Sequence, residues 1–420
     1  MNPDTHPLTV PGVNRAMLDP DFWITRMKKE DAFTPHDVNA IRNRLAFSNH
    51  LADLNKIFRD FSNPSRWIAD EGLPVPEGYL SNKRLLDSEL REQITANTTV
   101  RPVKERFGFS IGRAPIGAWA TPYKIFRSAE DREFDQVQQT ALHTFEPVLI
   151  LGESPDQEWY LVQSRTYQGW IQKSYIAWCE ADVWERYVTV TDPVVVIGRG
   201  VSIEPDPYDE NPLPRPLEFG AWLPQSIDPA DVGSRQDPIW HHVVDVPFRK
   251  PDGQLAIRPR LIARSTSVVS GFLPTTRQSV VTSAFALLGD RYGWGDSFDR
   301  HDCSSFIMDV YRTIGIQLPR NSKAQSLALP MRTALEPDWE GALSRAHAGD
   351  ELYMPGHVML YLGAHEGQHF AIHAFVGYSH GPGTDPVLAN QVMVTPLSLH
   401  LRRGEKRYGD ALTSVHAILP

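Results

Sequence analysis

Asp302-Cys303-Ser304-Ser305-Phe306 and, further on, Gly356-His357-Val358-Met359-Leu360-Tyr361-Leu362-Gly363 decide how this chain is read. Phe306, Ile307, Val310 and Ile314 form one apolar face, which predicts a helix starting near Cys303. Gly315 suits its C-terminal end and Pro319 lies just beyond it. A cysteine in the first turn of a helix meets unpaired backbone N–H groups and the positive end of the helix dipole. Both favour thiolate over thiol, so a lowered pKa and a reactive sulfur are expected. The alternative for Cys303 is a small buried hydrophobe. The polar, glycine-rich loop ahead of it, Tyr292-Gly293-Trp294-Gly295-Asp296, weighs against that.

A cysteine nucleophile needs a base. His357 opens an apolar strand at about 357–362, and the next strand, about 369–376, holds Phe370-Ala371-Ile372-His373-Ala374-Phe375. With Gly363 and Gly367 flanking the turn, the two strands form a hairpin in which His357 and His373 sit directly opposite each other. Their Cβ atoms would then be roughly 4.5–5.5 Å apart on one face. A base and the residue that orients it need that geometry. Alone, two strand histidines would equally read as an ordinary hydrogen-bonded pair or a metal site; Cys303 tips the reading. A further strand is expected near 391–395, and a helix over Val280 to Leu288, stopped by Gly289.

Working outward, 420 residues suggest about three domains. With 22% charged and 41% hydrophobic residues, bulk disorder is excluded. Lys+Arg 42 against Asp+Glu 51 gives a net charge of −9, which does not favour nucleic acid or an anionic membrane surface as partner. No apolar run approaches the ~18 residues of a membrane span. Two cysteines exclude a disulfide framework, and no C-x-x-C or H-E-x-x-H signals zinc; no cofactor or metal is expected. Cys179, without a histidine motif, reads as structural. The opening MNPDTHPLTV lacks the basic start and apolar core of a secretory signal. The place of action is therefore expected to be extracytoplasmic, in periplasm or wall, if a signal has been removed, and cytoplasmic otherwise.

The chain is multidomain on this reading. Residues 1–100 form a helical N-terminal stabilising region: Thr34-Pro35-His36-Asp37 is a helix start, and Val38, Ile41, Leu45, Leu51 and Leu54 an approximate apolar stripe. Pro74 to Gly78 reads as a loop. Thirty-four prolines and 28 glycines fit turn-rich β modules, and two similar units follow, at 101–185 and 186–270. The first carries Trp159-Tyr160-Leu161-Val162, Gly169-Trp170-Ile171 and Tyr175-Ile176-Ala177. The second carries Trp240-His241-His242-Val243, Gly253-Gln254-Leu255 and Leu261-Ile262-Ala263. Each reads as a small β-barrel. The acids Glu204, Asp206, Asp209 and Glu210 in the Pro-rich run to Pro216 read as a solvated loop rather than a calcium site, since no evenly spaced ligand series is present. The last block is 271–420.

Tyr292-Gly293-Trp294-Gly295, Asp302-Cys303-Ser304, Leu318-Pro319-Arg320-Asn321-Ser322, Gly349-Asp350 and the Gly356–Gly363 stretch stand in order. With these motifs the block resembles the NlpC/p60-type cell-wall cysteine peptidases, which are papain-like. The β units resemble bacterial SH3 domains, as in a multidomain γ-D-glutamyl-L-diamino acid endopeptidase subgroup. The resemblance implies an α+β catalytic domain and a triad of Cys303 as nucleophile, His357 as base and acid, and His373 as orienter. It implies a carbonyl-polarising role for Tyr292. It implies that Asp302, Ser304 and Ser322 bind the free amino end of a peptidoglycan stem peptide, and that the enzyme cuts between γ-D-glutamate and the diamino acid. Asn321 stands where the family usually has aspartate. Glu105, Arg113 and Trp119 are candidates for a first-barrel wall to the cleft. An amidase or acyl-transfer enzyme of the same superfamily, or a non-catalytic wall-binding protein, are the competing expectations.

Overall fold

The computed structural model describes residues 10–27, 45, 51–59, 68, 73–209, 216–226, 232, 235–265, 267–334 and 339–417. The chain forms two compact units. One comprises Met1–His50, Leu273–Gly293 and Arg300–Pro420; the other comprises Leu51–Phe272 and Trp294–Asp299. The stretch 1–100, expected as one helical region, thus divides between them. Its described helices are short: Pro20–Ile24, Leu54–Arg59 and Ser88–Asn97. The helix start expected at Thr34–Asp37 lies outside the described residues.

In the unit containing Leu51–Phe272, a seven-stranded antiparallel sheet runs from Phe107–Ser110 to Ile176–Cys179. Ile116, Val148, Ile150, Val162 and Ile171 form its core. Cys179 packs in an adjoining apolar cluster with Phe109, Leu149 and Trp184. A second β module has a separate core of Val194, Val196, Leu223, Val244, Val246 and Ile262. There Pro193–Val196 lies between Trp222–Pro224 and Val268–Ser270, and His241–Arg249 forms a hairpin with Leu255–Ala263. The expected correspondence of landmarks is imperfect. Leu261-Ile262-Ala263 ends the second strand of that hairpin, whereas Ile176-Ala177 opens a new strand after a 3-10 turn. Apolar triplets alone do not reveal which strand of a meander they occupy. In the acidic run, Asp209 pairs with Arg258 at 2.7 Å and with Arg260. Glu210 lies outside the described residues.

The other unit begins with helix α1 (Arg277–Ala286), capped by the Thr276 hydroxyl, which accepts from the Ser279 N–H at 3.0 Å. Helix α2 (Cys303–Arg312) has all ten residues buried, and α3 (Ser322–Ala328) follows. The strands are β1 (Met331–Ala334), β2 (Glu351–Met354), β3 (His357–His365), β4 (Gln368–Ser379), β5 (Val387–Pro396) and β6 (Ser414–His416). They join antiparallel in the order β1-β6-β2-β3-β4-β5. Leu352, Met359, Tyr361, Ala371 and Phe375 from one face of this sheet bury against Trp339, Leu397 and Tyr408. Buried Asp350, of the Gly349-Asp350 motif, binds Arg277 at 3.0 Å and Arg332 at 3.1 Å just before β2 begins.

The β3–β4 hairpin differs from its expected register. The turn is Glu366-Gly367, both in the left-handed region, with His365 paired to Gln368. Carried straight along the strands, that register would pair Leu360 with His373, and His357 and His373 would point to opposite faces. A bulge intervenes between Tyr361 and Gly363, Gly363 taking φ 125, and beyond it Leu360 pairs with Ile372. A one-residue slip inverts every side chain of a strand, so the bulge returns both histidines to one face. They end two positions apart along the strands, a diagonal pair, rather than directly opposite.

Candidate active site

The start of α2 is set by Asp302. Its carboxylate Oδ1 accepts from the N–H groups of Ser304 and Ser305, each at 3.0 Å, while Ser305 Oγ accepts from the Asp302 N–H, completing a capping box. Arg320 then binds the same carboxylate through two bonds, Nη1 to Oδ1 at 3.1 Å and Nη2 to Oδ2 at 2.7 Å, and donates to Ser304 Oγ at 3.0 Å. Burial alone would raise the Asp302 pKa, but the Arg320 guanidinium and the cap donors hold it below the usual carboxylate value. Gln325 donates to the carbonyls of Ser304 and Pro319, tying α3 to this turn.

Cys303 opens α2 as expected. The ladder between β3 and β4 runs only as far as Leu360 and Ile372, and the N–H of Val358, next to His357, favours the thiolate of Cys303. His357 Nε2 lies 2.7 Å from His373 Nδ1, and His373 Nε2 lies 2.8 Å from Thr395 Oγ1. His373 is fully buried, stacked on Phe375 at 4.3 Å. When His373 donates to Thr395, its Nδ1 accepts from His357 Nε2–H, and the Nδ1 of His357 is left with a free lone pair.

The expected lowered thiol pKa is reversed. Burial pushes the Cys303 thiol up to about 12, and the neighbouring Asp302 carboxylate adds to this. The N–H groups of Val358 and Ser304, with Arg320, act in the other direction and are outweighed. The helix-end donors read from the sequence are present, but the sulfur has lost its water. Burial likewise pushes His357 down to about 4, against a pull from Asp302. It also holds His373 far below its ordinary value, with His357 adding to the effect. The resting cluster is thus neutral: a thiol and two imidazoles.

Tyr292 is buried, with its N–H on the Asn390 carbonyl at 2.7 Å. It pairs in parallel with His301, two residues ahead of Cys303, and Gly293 N–H donates to the His301 carbonyl at 2.8 Å. Ser304 is buried in the cap network. Ser322 is half-buried at the first position of α3, and Asn321 before it makes no side-chain cap bond. Of the first-barrel candidates, Arg113 and Trp119 are buried within their own unit, Trp119 donating to the Leu73 carbonyl, and Glu105 is half-buried. Arg320, Gln325 and Thr395 were not singled out from the sequence. Arg320 stands in a quoted motif, and a buried carboxylate at the cap calls for a cation. Thr395 has no signal short of the strand register.

Residues 289–381 match the model of the NlpC/P60 family, a cysteine peptidase family, and residues 123–172 match an SH3 domain of the SH3b1 type, within the first β module. An NlpC/P60 endopeptidase from Photobacterium damselae subsp. piscicida superposes with a TM-score of 0.71 at 16% identity, covering 94% of this chain and 96% of that one. An NlpC/P60 family protein from Bacillus cereus gives a TM-score of 0.49 at 16% identity over 75% of this chain and 100% of the other. The peptidoglycan hydrolase RipB of Mycobacterium tuberculosis gives 0.24 at 22% identity over 34% and 65%. Among curated proteins, none matches the chain. No helix among the described residues is long and apolar enough to cross a membrane.

Proposed function

We propose that the chain is a cysteine endopeptidase acting outside the cytoplasm on peptidoglycan stem peptides, cutting between γ-D-glutamate and the diamino acid. The observation that carries this reading is the His357–His373–Thr395 hydrogen-bond chain, together with a cysteine, Cys303, opening α2. In the reaction, Cys303 Sγ adds to the scissile carbonyl carbon as its proton passes to His357 Nδ1. The oxyanion takes the Cys303 N–H and the Tyr292 hydroxyl as donors. The C–N bond then breaks, with His357 protonating the leaving amine. Water adds to the thioester through the same base, the C–S bond breaks, and the thiol is restored. His373, held by Thr395, keeps His357 in the tautomer with its lone pair on Nδ1. Because the resting pair is neutral, proton transfer accompanies attack instead of preceding it.

Asp302, Ser304 and Ser322 are assigned to the amino end of a stem with free L-Ala. Asp302 combines this with capping: its Oδ2 accepts from Arg320 and has a further lone pair for an ammonium. Asn321 supplies no charge there. The second β module is read as a second SH3-like barrel, its separate core supporting that, with domains at 101–185, 186–270 and 271–420 following the N-terminal stretch. Cys303→Ala should abolish cleavage of an L-Ala-γ-D-Glu-diamino-acid peptide while circular dichroism stays native. Undiminished turnover in that variant removes the mechanism, and release of the intact stem from muramic acid, seen by mass spectrometry, would assign an amidase instead.

A further inference from the structure

Between Tyr292 and the α2 helix the chain leaves one unit and re-enters it, and the hexapeptide Trp294–Asp299 belongs to the other. Its backbone is costly. Gly295, Asp296, Phe298 and Asp299 all take φ between 55° and 64°, and three of these are not glycine. Such conformations persist only where the surroundings over-determine them. Apolar burial supplies only part of this: Trp294 and Phe298 are 43% and 46% exposed, Trp294 lying edge-on to Phe134 at 5.8 Å. Polar contacts add the rest. Asp296 is 1% exposed, and its Oδ2 accepts from Thr140 Oγ1 at 2.9 Å and from the Ala141 N–H at 3.1 Å, with buried Arg113 at 3.7 Å. Gln138 Nε2 donates to the Gly295 carbonyl at 2.9 Å. A Cβ on Gly295 would come within 2.4 Å of the Gln138 carbonyl oxygen, so the backbones meet there without room for a side chain. The hexapeptide is closed at its base by the Tyr292–His301 pairing, two residues short of Cys303.

We infer that Asp296 is a positioning residue: clamped by Arg113, Thr140 and Ala141, it fixes the left-handed hexapeptide and so the placement of Tyr292 and Cys303 at its two ends. The SH3-type module then acts on the chemical step through the chain itself, without touching substrate. This rests on the reading of Cys303 as nucleophile. Placement errors of about 1 Å cost up to ~10²-fold in rate while leaving ground-state binding largely intact.

The test uses the full chain and the stem-peptide assay. Asp296→Asn should lower kcat by about tenfold to a hundredfold with KM within about twofold. Thr140→Val, which leaves both buried charges in place, should lower kcat in the same way by a smaller factor, and Thr140→Ser should restore it. If Asp296→Asn does not fold, because Arg113 is left without its partner, the Thr140 pair carries the test. A wild-type kcat in Thr140→Val, or a change confined to KM or Tm, overturns the inference. Activity retained in Cys303→Ala would instead overturn the nucleophile reading, so the two failures are distinguishable.

Discussion

Two buried polar clusters meet at Cys303 and are built on opposite electrostatics. The Asp302–Arg320–Ser304 cluster is ionic: a carboxylate and a guanidinium share two bonds, so each charge survives burial. The His357–His373–Thr395 cluster has no charged partner in its chain of bonds, so burial keeps it neutral. The same loss of water thus strengthens a matched pair and discharges an unmatched group. A cap that must never move is made of ions. The imidazole pair is made of groups that can carry a proton and release it.

The comparison breaks most visibly at Arg320. Arg320→Met strands the Asp302 carboxylate, and urea unfolding at neutral pH should show a loss of roughly 3–5 kcal/mol. An unchanged midpoint would mean that the cap donors alone stabilise that charge. In the neutral cluster, Thr395→Val leaves the buried His373 Nε2 without its partner, at a cost of about 1–3 kcal/mol. It also frees the tautomer, so kcat should fall by about tenfold, as for other orienting contacts. Undisturbed kinetics would show that His373 orients His357 unaided.

The smallest effect is in pH, and it separates the clusters. His357 must be neutral to act as base, so the acid limb of kcat/KM should fall near pH 4 rather than near 6.5. For stability, a folded-state pKa depressed from 6.5 to about 4 means the unfolded chain binds the proton first, and stability is lost as pH falls through that window. His357→Gln should remove that part of the slope between pH 6.5 and 4. Glu351, which burial raises to about 8, slopes the other way but does so equally in both proteins. Asp302, held low by Arg320, gives up its stabilisation only below the ordinary carboxylate range. An identical pH slope in the His357→Gln variant would contradict the neutral relay.

Much of this was legible locally. The apolar face of α2 and the glycine stop after α1 are short-range patterns, and the structure repeats them. The strand expected at 369–376 was present, but its register was not legible. Register follows from a two-residue turn and one extra residue near Leu362, and no composition rule announces a bulge. Splitting the first hundred residues between two units was equally hidden, because an apolar stripe says that a helix packs and not on what.

By itself the sequence determined which chemical groups are available and which of them sit at element ends: a cysteine at a helix mouth, a histidine opening a strand, an acid one residue before the cysteine. Those follow from dihedral preference and periodicity, which act over a few residues. The tertiary structure decided that both imidazoles share a face, that Arg320 answers Asp302, that Asp296 is gripped from residues far away in the chain, and that the resting sulfur is protonated. These depend on which distant atoms exclude water, and that is set only once the chain has closed on itself.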